Sequence, residues 1–294
     1  MTAVPQRVAP APVRAVDVCV TTADGWRLAV TLTAPRDGEA VRGVVIGSAT
    51  GVPRGLYTLY ARYLAARGCA VATFDFRGIG GSALGPGATI LDWGRLDYPA
   101  VLGWMARRMG DRPLHLVGHS IGGQLVGMMA PTVPLASVCT VASQNAYYRR
   151  YGAVRTVKYG LLWRLAVPAA VAALGRFPAE RLGLGPDLPG GVALDWARFA
   201  THPDYLVDSD GRSLREGFDA LEAPILAYSF ADDHRATGEN VAALHWRYRR
   251  ARVEHRHVDP AELGVPTIGH LGFFSPAVKR TLWADSLTFL AEAA

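Results

Sequence analysis

Residues 114–130 read Leu-His-Leu-Val-Gly-His-Ser-Ile-Gly-Gly-Gln-Leu-Val-Gly-Met-Met-Ala, a short apolar run that passes through Gly118-His119-Ser120-Ile121-Gly122 into an apolar-periodic stretch. A bare Gly-X-Ser-X-Gly arises by chance often enough to say little. The order strand, motif, helix is far more restrictive. A strand that turns sharply into a helix needs small residues at both glycine positions and leaves a strained serine projecting above a sheet. The turn also aims the first helical amides at whatever the serine attacks, so the amide of Ile121 is expected to face a developing oxyanion. The competing reading is a tight turn in which Ser120 merely caps a helix.

The rest of the chain supplies the sheet that such a turn requires. Short apolar runs at 16–20, 27–32, 43–47, 70–74, 114–118, 137–141, 224–229 and 253–258 read as strands, the first two as an antiparallel pair around Asp24-Gly25. Helical patterns at 55–67, 93–108, 120–130, 239–250 and 276–291 lie between them. This alternation predicts an α/β fold with a mostly parallel sheet of about eight strands and helices on both faces. It is interrupted once, over 145–219, where no strand pattern occurs and apolar segments are punctuated by Gly183, Gly185, Pro186, Pro189, Gly190 and Gly191. That interval is too apolar for a solvated linker and reads as an inserted helical lid between two parts of one core, 1–144 and 220–294. Its most apolar stretch, Gly160 to Gly175, carries Arg164 and Pro168 and reads as a helix pair rather than a membrane span.

With 294 residues, 50% hydrophobic and 19% charged, the chain can bury one large core. The formal net charge of +6 and pI of about 9.4 favour anionic surfaces without naming a partner. The densest basic run, His245-Trp-Arg-Tyr-Arg-Arg-Ala-Arg252, is read as a solvated helix end and not as a nucleic-acid groove. Cys19, Cys69 and Cys139 are odd in number and sit among mostly apolar neighbours, as buried thiols of a reducing compartment do. Pro5, Pro10 and Pro12 break the first residues into pieces too short for a secretory signal. A cytoplasmic protein with a small-molecule substrate, no nucleic acid and no stable membrane insertion is expected.

A serine hydroxyl needs a base within hydrogen-bond reach, itself oriented by a carboxylate. In chain order after such a turn, the acid should follow a late strand and the histidine the last one. The run after 224–229 reads Phe230-Ala-Asp-Asp-His-Arg-Ala-Thr237 and offers Asp232 and Asp233 side by side. The loop after the last strand ends Ile268-Gly-His-Leu-Gly-Phe-Phe-Ser275 and places His270 where the base belongs. His119, His234, His255 and His257 read as surface or packing histidines. His255-Arg-His257 lacks a third ligand nearby, so no metal site is expected, and no cofactor is called for. The second oxyanion donor should come from Ser48-Ala-Thr-Gly-Val-Pro-Arg54, and Thr50, ahead of Gly51, is the choice.

With these residues in view, the chain resembles the α/β-hydrolase superfamily, and within it a bacterial group of uncharacterised predicted hydrolases of serine-esterase type. The similarity spans nearly the whole length. Beyond the serine turn it includes Asp75-Phe-Arg-Gly-Ile-Gly-Gly-Ser82, Ser48-Ala-Thr-Gly-Val-Pro53, Leu182-Gly-Leu-Gly-Pro-Asp-Leu-Pro-Gly-Gly191 and Ile268-Gly-His-Leu-Gly-Phe-Phe274. The resemblance implies a Ser120–Asp233–His270 triad, Asp233 matching the Asp that opens an Asp-X-X-X-Pro-like stretch. Here that stretch ends in Thr237 without the proline, which keeps Asp232 as the alternative acid. Ser48-Ala49 stands where relatives carry His-Gly in the oxyanion loop. Asp75 and Arg77 are expected to form a buried pair in a structural network beside the site.

The apolar lid points to a substrate with an apolar acyl or alcohol part. Trp163, Trp196 and Phe199, with Leu161, Leu162 and Leu165, are candidates to line its pocket or else to pack lid against core. Arg149, Arg150, Arg155 and Lys158 could receive an anionic headgroup, a carrier phosphate or a membrane surface, or form a solvated face. The leading expectation is hydrolysis of a carboxylic ester or thioester through an acyl-enzyme on Ser120. Two others stand beside it: the same triad used for acyl transfer, cyclisation or carbon–carbon cleavage, and a non-catalytic binding protein on the same fold.

Overall fold

The computed structural model describes residues 11–82, 87–182 and 185–293. Residues 1–10, with Pro5 and Pro10, and Gly183 of the lid segment lie outside the described residues. Eight strands form one sheet: β1 Val13–Thr21, β2 Arg27–Pro35, β3 Arg42–Gly47, β4 Cys69–Phe74, β5 Leu114–His119, β6 Ser137–Val141, β7 Ile225–Phe230 and β8 Val253–Val258. Their order is β1-β2-β4-β3-β5-β6-β7-β8. β2 runs antiparallel to both β1 and β4, and every later neighbouring pair is parallel. The mostly parallel eight-stranded α/β architecture expected from the sequence is the one observed.

The strand sequences explain their places. β3 to β7 are covered on both faces and are mostly apolar and buried, whereas the edge strand β8, Val-Glu-His-Arg-His-Val, has no fully buried residue and exposes Glu254, His255 and His257. In β3, Val45 faces one core with Leu116, Val101 and Met105, and its neighbours Val44 and Ile46 face the other with Tyr60, Leu64 and Trp283. The helix Tyr98–Met109 covers the first face; Thr58–Ala65 and Leu282–Glu292 cover the second. Cys69 and Cys139 are buried as expected, but Cys19 is exposed, because β1 is the other edge strand and most of its residues face solvent.

Other expectations need correcting. The helix after Ser120 is only Ile121–Gln124 followed by a 3₁₀ turn, Leu125–Gly127, and does not reach residue 130. Three glycines weaken it, and Gly217 and Phe218 crowd its end: a Cβ on Gly127 would lie 2.1 Å from the Phe218 ring. The lid carries one continuous helix, Gly152–Leu174, in place of a helix pair. A π-turn at Leu162–Ala166 takes up the local mismatch ahead of Pro168, which has no amide to donate back into the helix. The lid also contains a two-residue ladder, Arg176–Phe177 with Leu188–Pro189, where no strand was expected. Asp75 and Arg77 do not pair with each other. Asp75 binds Arg54 and the amide of Gly81, while Arg77 binds Asp97 and Asp24.

The lid lies over loops at the C-terminal ends of the strands. A Cβ on Gly51, after β3, would contact Leu188 at 3.1 Å, and one on Gly78, after β4, would meet Pro189 at 2.7 Å. At the other end, the Tyr151 hydroxyl donates to the carbonyl of Arg235, after β7, at 2.9 Å.

Candidate active site

Ser120 occupies φ 53°, ψ −117°, a backbone conformation that non-glycine residues rarely adopt. Its amide donates to Val141 on the neighbouring strand at 2.8 Å, which fixes the turn from the sheet side. The flanking glycines are forced by contact distance. A Cβ on Gly118 would sit 2.4 Å from the Gly123 backbone, and one on Gly122 would sit 2.4 Å from the Gly47 carbonyl oxygen. Ser120 is buried, with 8% of its surface exposed.

The structure brings Ser120, His270 and Asp233 together from three separate loops. His270 Nε2 lies 3.0 Å from Ser120 Oγ, and His270 Nδ1 lies 2.7 Å from Asp233 Oδ2. Asp233 Oδ1 accepts the amides of Arg235 at 2.8 Å and Ala236 at 3.1 Å. Burial pushes this carboxyl up, but the His270 hydrogen bond and charge, with the Ala236 and Arg235 amides, outweigh it and hold the group below the usual carboxylate range. A carboxylate can only accept, so Nδ1 of a neutral His270 must carry the proton. Nε2 is then free to accept from the serine hydroxyl.

Asp232 is turned the other way. Its Oδ2 accepts from the Thr267 hydroxyl at 2.6 Å and the Ile268 amide at 2.9 Å, and its Oδ1 from the Gly269 amide at 2.9 Å. Burial raises its pKa, but these three donors together bring it below the ordinary value. The two adjacent aspartates thus divide the work, Asp233 holding the His270 ring and Asp232 holding the loop that carries it.

His119 and Tyr57 form a second buried network that the sequence did not disclose. His119 Nε2 lies 2.8 Å from the His270 carbonyl oxygen, His119 Nδ1 lies 2.9 Å from the Tyr57 hydroxyl, and that hydroxyl accepts the Ala49 amide at 2.8 Å. Burial pushes the His119 pKa down to about 3, so the ring is neutral at ordinary pH. The carbonyl can only accept, so Nε2 holds the proton, Nδ1 accepts, and Tyr57 donates to it. One directed chain therefore joins the loop after β3 to the backbone of the His270 loop. The only local hint was a tyrosine at helical spacing and a histidine inside the motif.

The same chain bears on the expected oxyanion donors. The amide of Ala49 is occupied by Tyr57, whereas the amides of Thr50 and Ile121 have no acceptor among the described residues. Thr50 is half-buried, and Ile121 is buried at the start of its short helix.

The lid residues divide between core and surface. Phe199 is completely buried against Tyr205 within the main hydrophobic cluster and offers no face to a ligand, so it packs in the core instead of lining a pocket. The Trp163 and Trp196 rings pack at 4.9 Å between centroids and join the two long lid helices. Leu161 and Leu165 face outward. A cleft of about 720 Å³ opens on the far side of the acid loop, lined by Arg150, Tyr151, Arg155, Asp233, His234 and His257 among others. His255 and His257 flank the Ser229 hydroxyl at 2.8 Å each. His234 is exposed and its carbonyl faces Arg155.

Comparison with known proteins places this geometry. The alpha/beta hydrolase family matches over residues 11–279. Among solved structures, a hypothetical protein from Pseudomonas aeruginosa aligns at 14% identity over 96% of this chain and 94% of its own, with a TM-score of 0.66. Brefeldin A esterase, a bacterial homologue of human hormone sensitive lipase, aligns at 15% identity over 100% of this chain and 80% of its own, with a TM-score of 0.62. An esterase from Pyrococcus furiosus aligns at 16% identity over 95% and 91%, with a TM-score of 0.59. At these identities the likeness is one of fold. No curated protein sequence matches the chain significantly.

Proposed function

The chain belongs to the alpha/beta hydrolase family, and from that premise we propose that it is a serine hydrolase cleaving a carboxylic ester or thioester through an acyl-enzyme on Ser120. The observation that carries this reading is the unbroken chain of contacts, 3.0 Å from Ser120 to His270 and 2.7 Å from His270 to Asp233. Ser120 Oγ attacks the acyl carbon while its proton passes to His270 Nε2. The resulting imidazolium is held by Asp233 and returns the proton to the leaving alkoxide or thiolate. The amides of Ile121 and Thr50 receive the oxyanion, each worth on the order of 3 kcal/mol in the transition state. Water, activated by the same histidine, then releases the acid.

The apolar lid supports a substrate with an apolar acyl or alcohol part, and Leu162, Trp163 and Trp196 are half-buried lid residues that could meet it. That brefeldin A esterase and a Pyrococcus esterase share the fold supports the ester reading. The free thiols of Cys19, Cys69 and Cys139 support a reducing, cytoplasmic setting.

A fluorophosphonate probe should label the folded protein, with the adduct on Ser120, and leave Ser120→Ala unlabelled. Short and medium p-nitrophenyl esters should be turned over. A folded wild-type protein that takes no label overturns the proposal. Product partition toward an added alcohol or amine in preference to water would redirect it to acyl transfer.

A further inference from the structure

Residues 145–179 contain Arg149, Arg150, Arg155, Lys158, Arg164 and Arg176 and neither aspartate nor glutamate. Through this stretch runs the lid helix Gly152–Leu174, by length and composition apolar enough to cross a membrane. One of its faces is committed to the fold: Val167 is fully buried, and Trp163 packs on Trp196. The opposite face is open. Val154, Val157, Leu161 and Leu165 are 84%, 64%, 57% and 62% exposed, and their spacing of three and four residues sets them in one stripe. A contiguous apolar stripe of this kind on a folded domain marks a surface that something covers.

We propose that this face docks on an anionic lipid surface, the helix lying in the plane of the interface with the stripe at the acyl boundary and its cations at headgroup level. The charges select this occupant. Arg155 and Lys158 lie on the helix beside the stripe and Arg149 and Arg150 just before it, and none of them has a carboxylate partner among the described residues. The carboxylates of Asp233 and Glu239 line the cleft that Arg150 and Arg155 also line, and neither pairs with a cation of the helix among the described residues. Basic residues around an apolar helical face are the pattern of interfacial helices. A second copy of the chain is a poor fit, since a two-fold contact through the stripe would set these cations against themselves. Spanning is a poor fit too. It would strip Val167 and Trp163 from the core and carry Lys158 and Arg164 into hydrocarbon.

The surface adjoins the candidate site. Tyr151 and Arg155, at the start of the helix, reach the carbonyls of Arg235 and His234, which flank the segment that positions Asp233. Docking there would bring the lid and the loop beneath it to a lipid phase in which apolar esters concentrate. That consequence rests on the proposed function; the docking itself does not.

The test is co-sedimentation of the full chain with vesicles of phosphatidylcholine alone and of phosphatidylcholine mixed with phosphatidylglycerol, at low and high salt. Binding should favour the anionic vesicles and weaken as salt rises. Lys158→Glu should lower the partition coefficient by about fivefold or more, and Val154→Ser with Val157→Ser by about tenfold or more. Both variants should keep the wild-type melting temperature and the wild-type turnover of a soluble short-chain ester. Failure to sediment with either vesicle, equal sedimentation with both, or a dimer in solution that the Val154/Val157 double variant dissociates would each overturn the proposal. A protein that binds anionic vesicles without hydrolysing esters would sink the proposed function and leave the docking standing; one that hydrolyses esters without binding would do the reverse.

Discussion

In the loop after β7, the carboxylates of Asp232 and Asp233 both have their two oxygens engaged, one by Thr267, Ile268 and Gly269, the other by His270, Arg235 and Ala236. The lid helix and the residue just before it meet this loop through Arg155 at 3.5 Å and Tyr151 at 2.9 Å. Polar satisfaction fixes the loop, whereas the helix is held by apolar packing along one side and leaves its other side uncovered. The difference is between a region whose geometry is over-determined and one whose position a partner phase could complete.

The sharpest way to break the comparison is to exchange the roles within the loop. Asp233→Asn should lower kcat for a p-nitrophenyl ester by about 10⁴-fold, since an amide cannot hold His270 in the required tautomer, while the thermal melt hardly changes. Asp232→Asn should show the opposite balance, with a lower melting temperature from weakened anchoring of the His270 loop and a much smaller loss of kcat. If Asp232→Asn carries the 10⁴-fold loss, the division between the two aspartates is wrong.

Acid should act first through the buried histidines. His119 is pushed down to about 3, and His115 and His245 each to about 4, in every case chiefly by burial. A base whose folded pKa is depressed stabilises the fold above its unfolded value, near 6.5, and that stability is lost as pH falls toward the folded value. By pH 5 this amounts to about 2 kcal/mol for each histidine. Asp97 opposes it, because burial raises its pKa to about 6 and its protonation below that pH restores part of the loss. The net expectation is a few kcal/mol lost between pH 7 and pH 5, seen as a falling urea midpoint. A midpoint flat over that range would mean that these histidines take up protons without unfolding.

A smaller effect probes the bridge between loops. Tyr57→Phe leaves the Ala49 amide and His119 Nδ1 without their partner and should cost about 1–3 kcal/mol in denaturant unfolding. Loss of order in the loop after β3 should also reduce kcat, because the neighbouring Thr50 amide would lose its fixed direction. The smallest effect belongs to the lid surface. Leu161→Ser should change stability by no more than about 0.5 kcal/mol, since this side chain is already in water in the free protein. A larger loss would mean that Leu161 packs against the body of the molecule and the stripe is not free.

The strands and the serine turn were legible because their causes are local. Short, mostly apolar runs announce parallel strands buried on both faces, and glycine is required at 118 and 122 because a Cβ at either would sit 2.4 Å from backbone. His270 was legible from chain order. The lid helix was misread as a pair because Pro168 signals a break, and a π-turn can absorb that break only where the surrounding packing allows it. Cys19 was placed inside on the general habit of thiols, which says nothing about which strand ends at an edge.

The sequence by itself determined an alternating α/β chain with a strained serine at a strand-to-helix turn and two aspartates and a histidine following in order. Only the tertiary structure decided which of two adjacent aspartates faces His270, since neighbouring residues on a turn differ in direction and not in composition. It alone joined Tyr57 to His119 and His119 to the His270 backbone, partners 62 and 151 residues apart. It alone showed which side of the lid helix is buried. Short-range sterics write the turn into the sequence, whereas hydrogen bonds and packing between distant segments exist only once the sheet has brought those segments together.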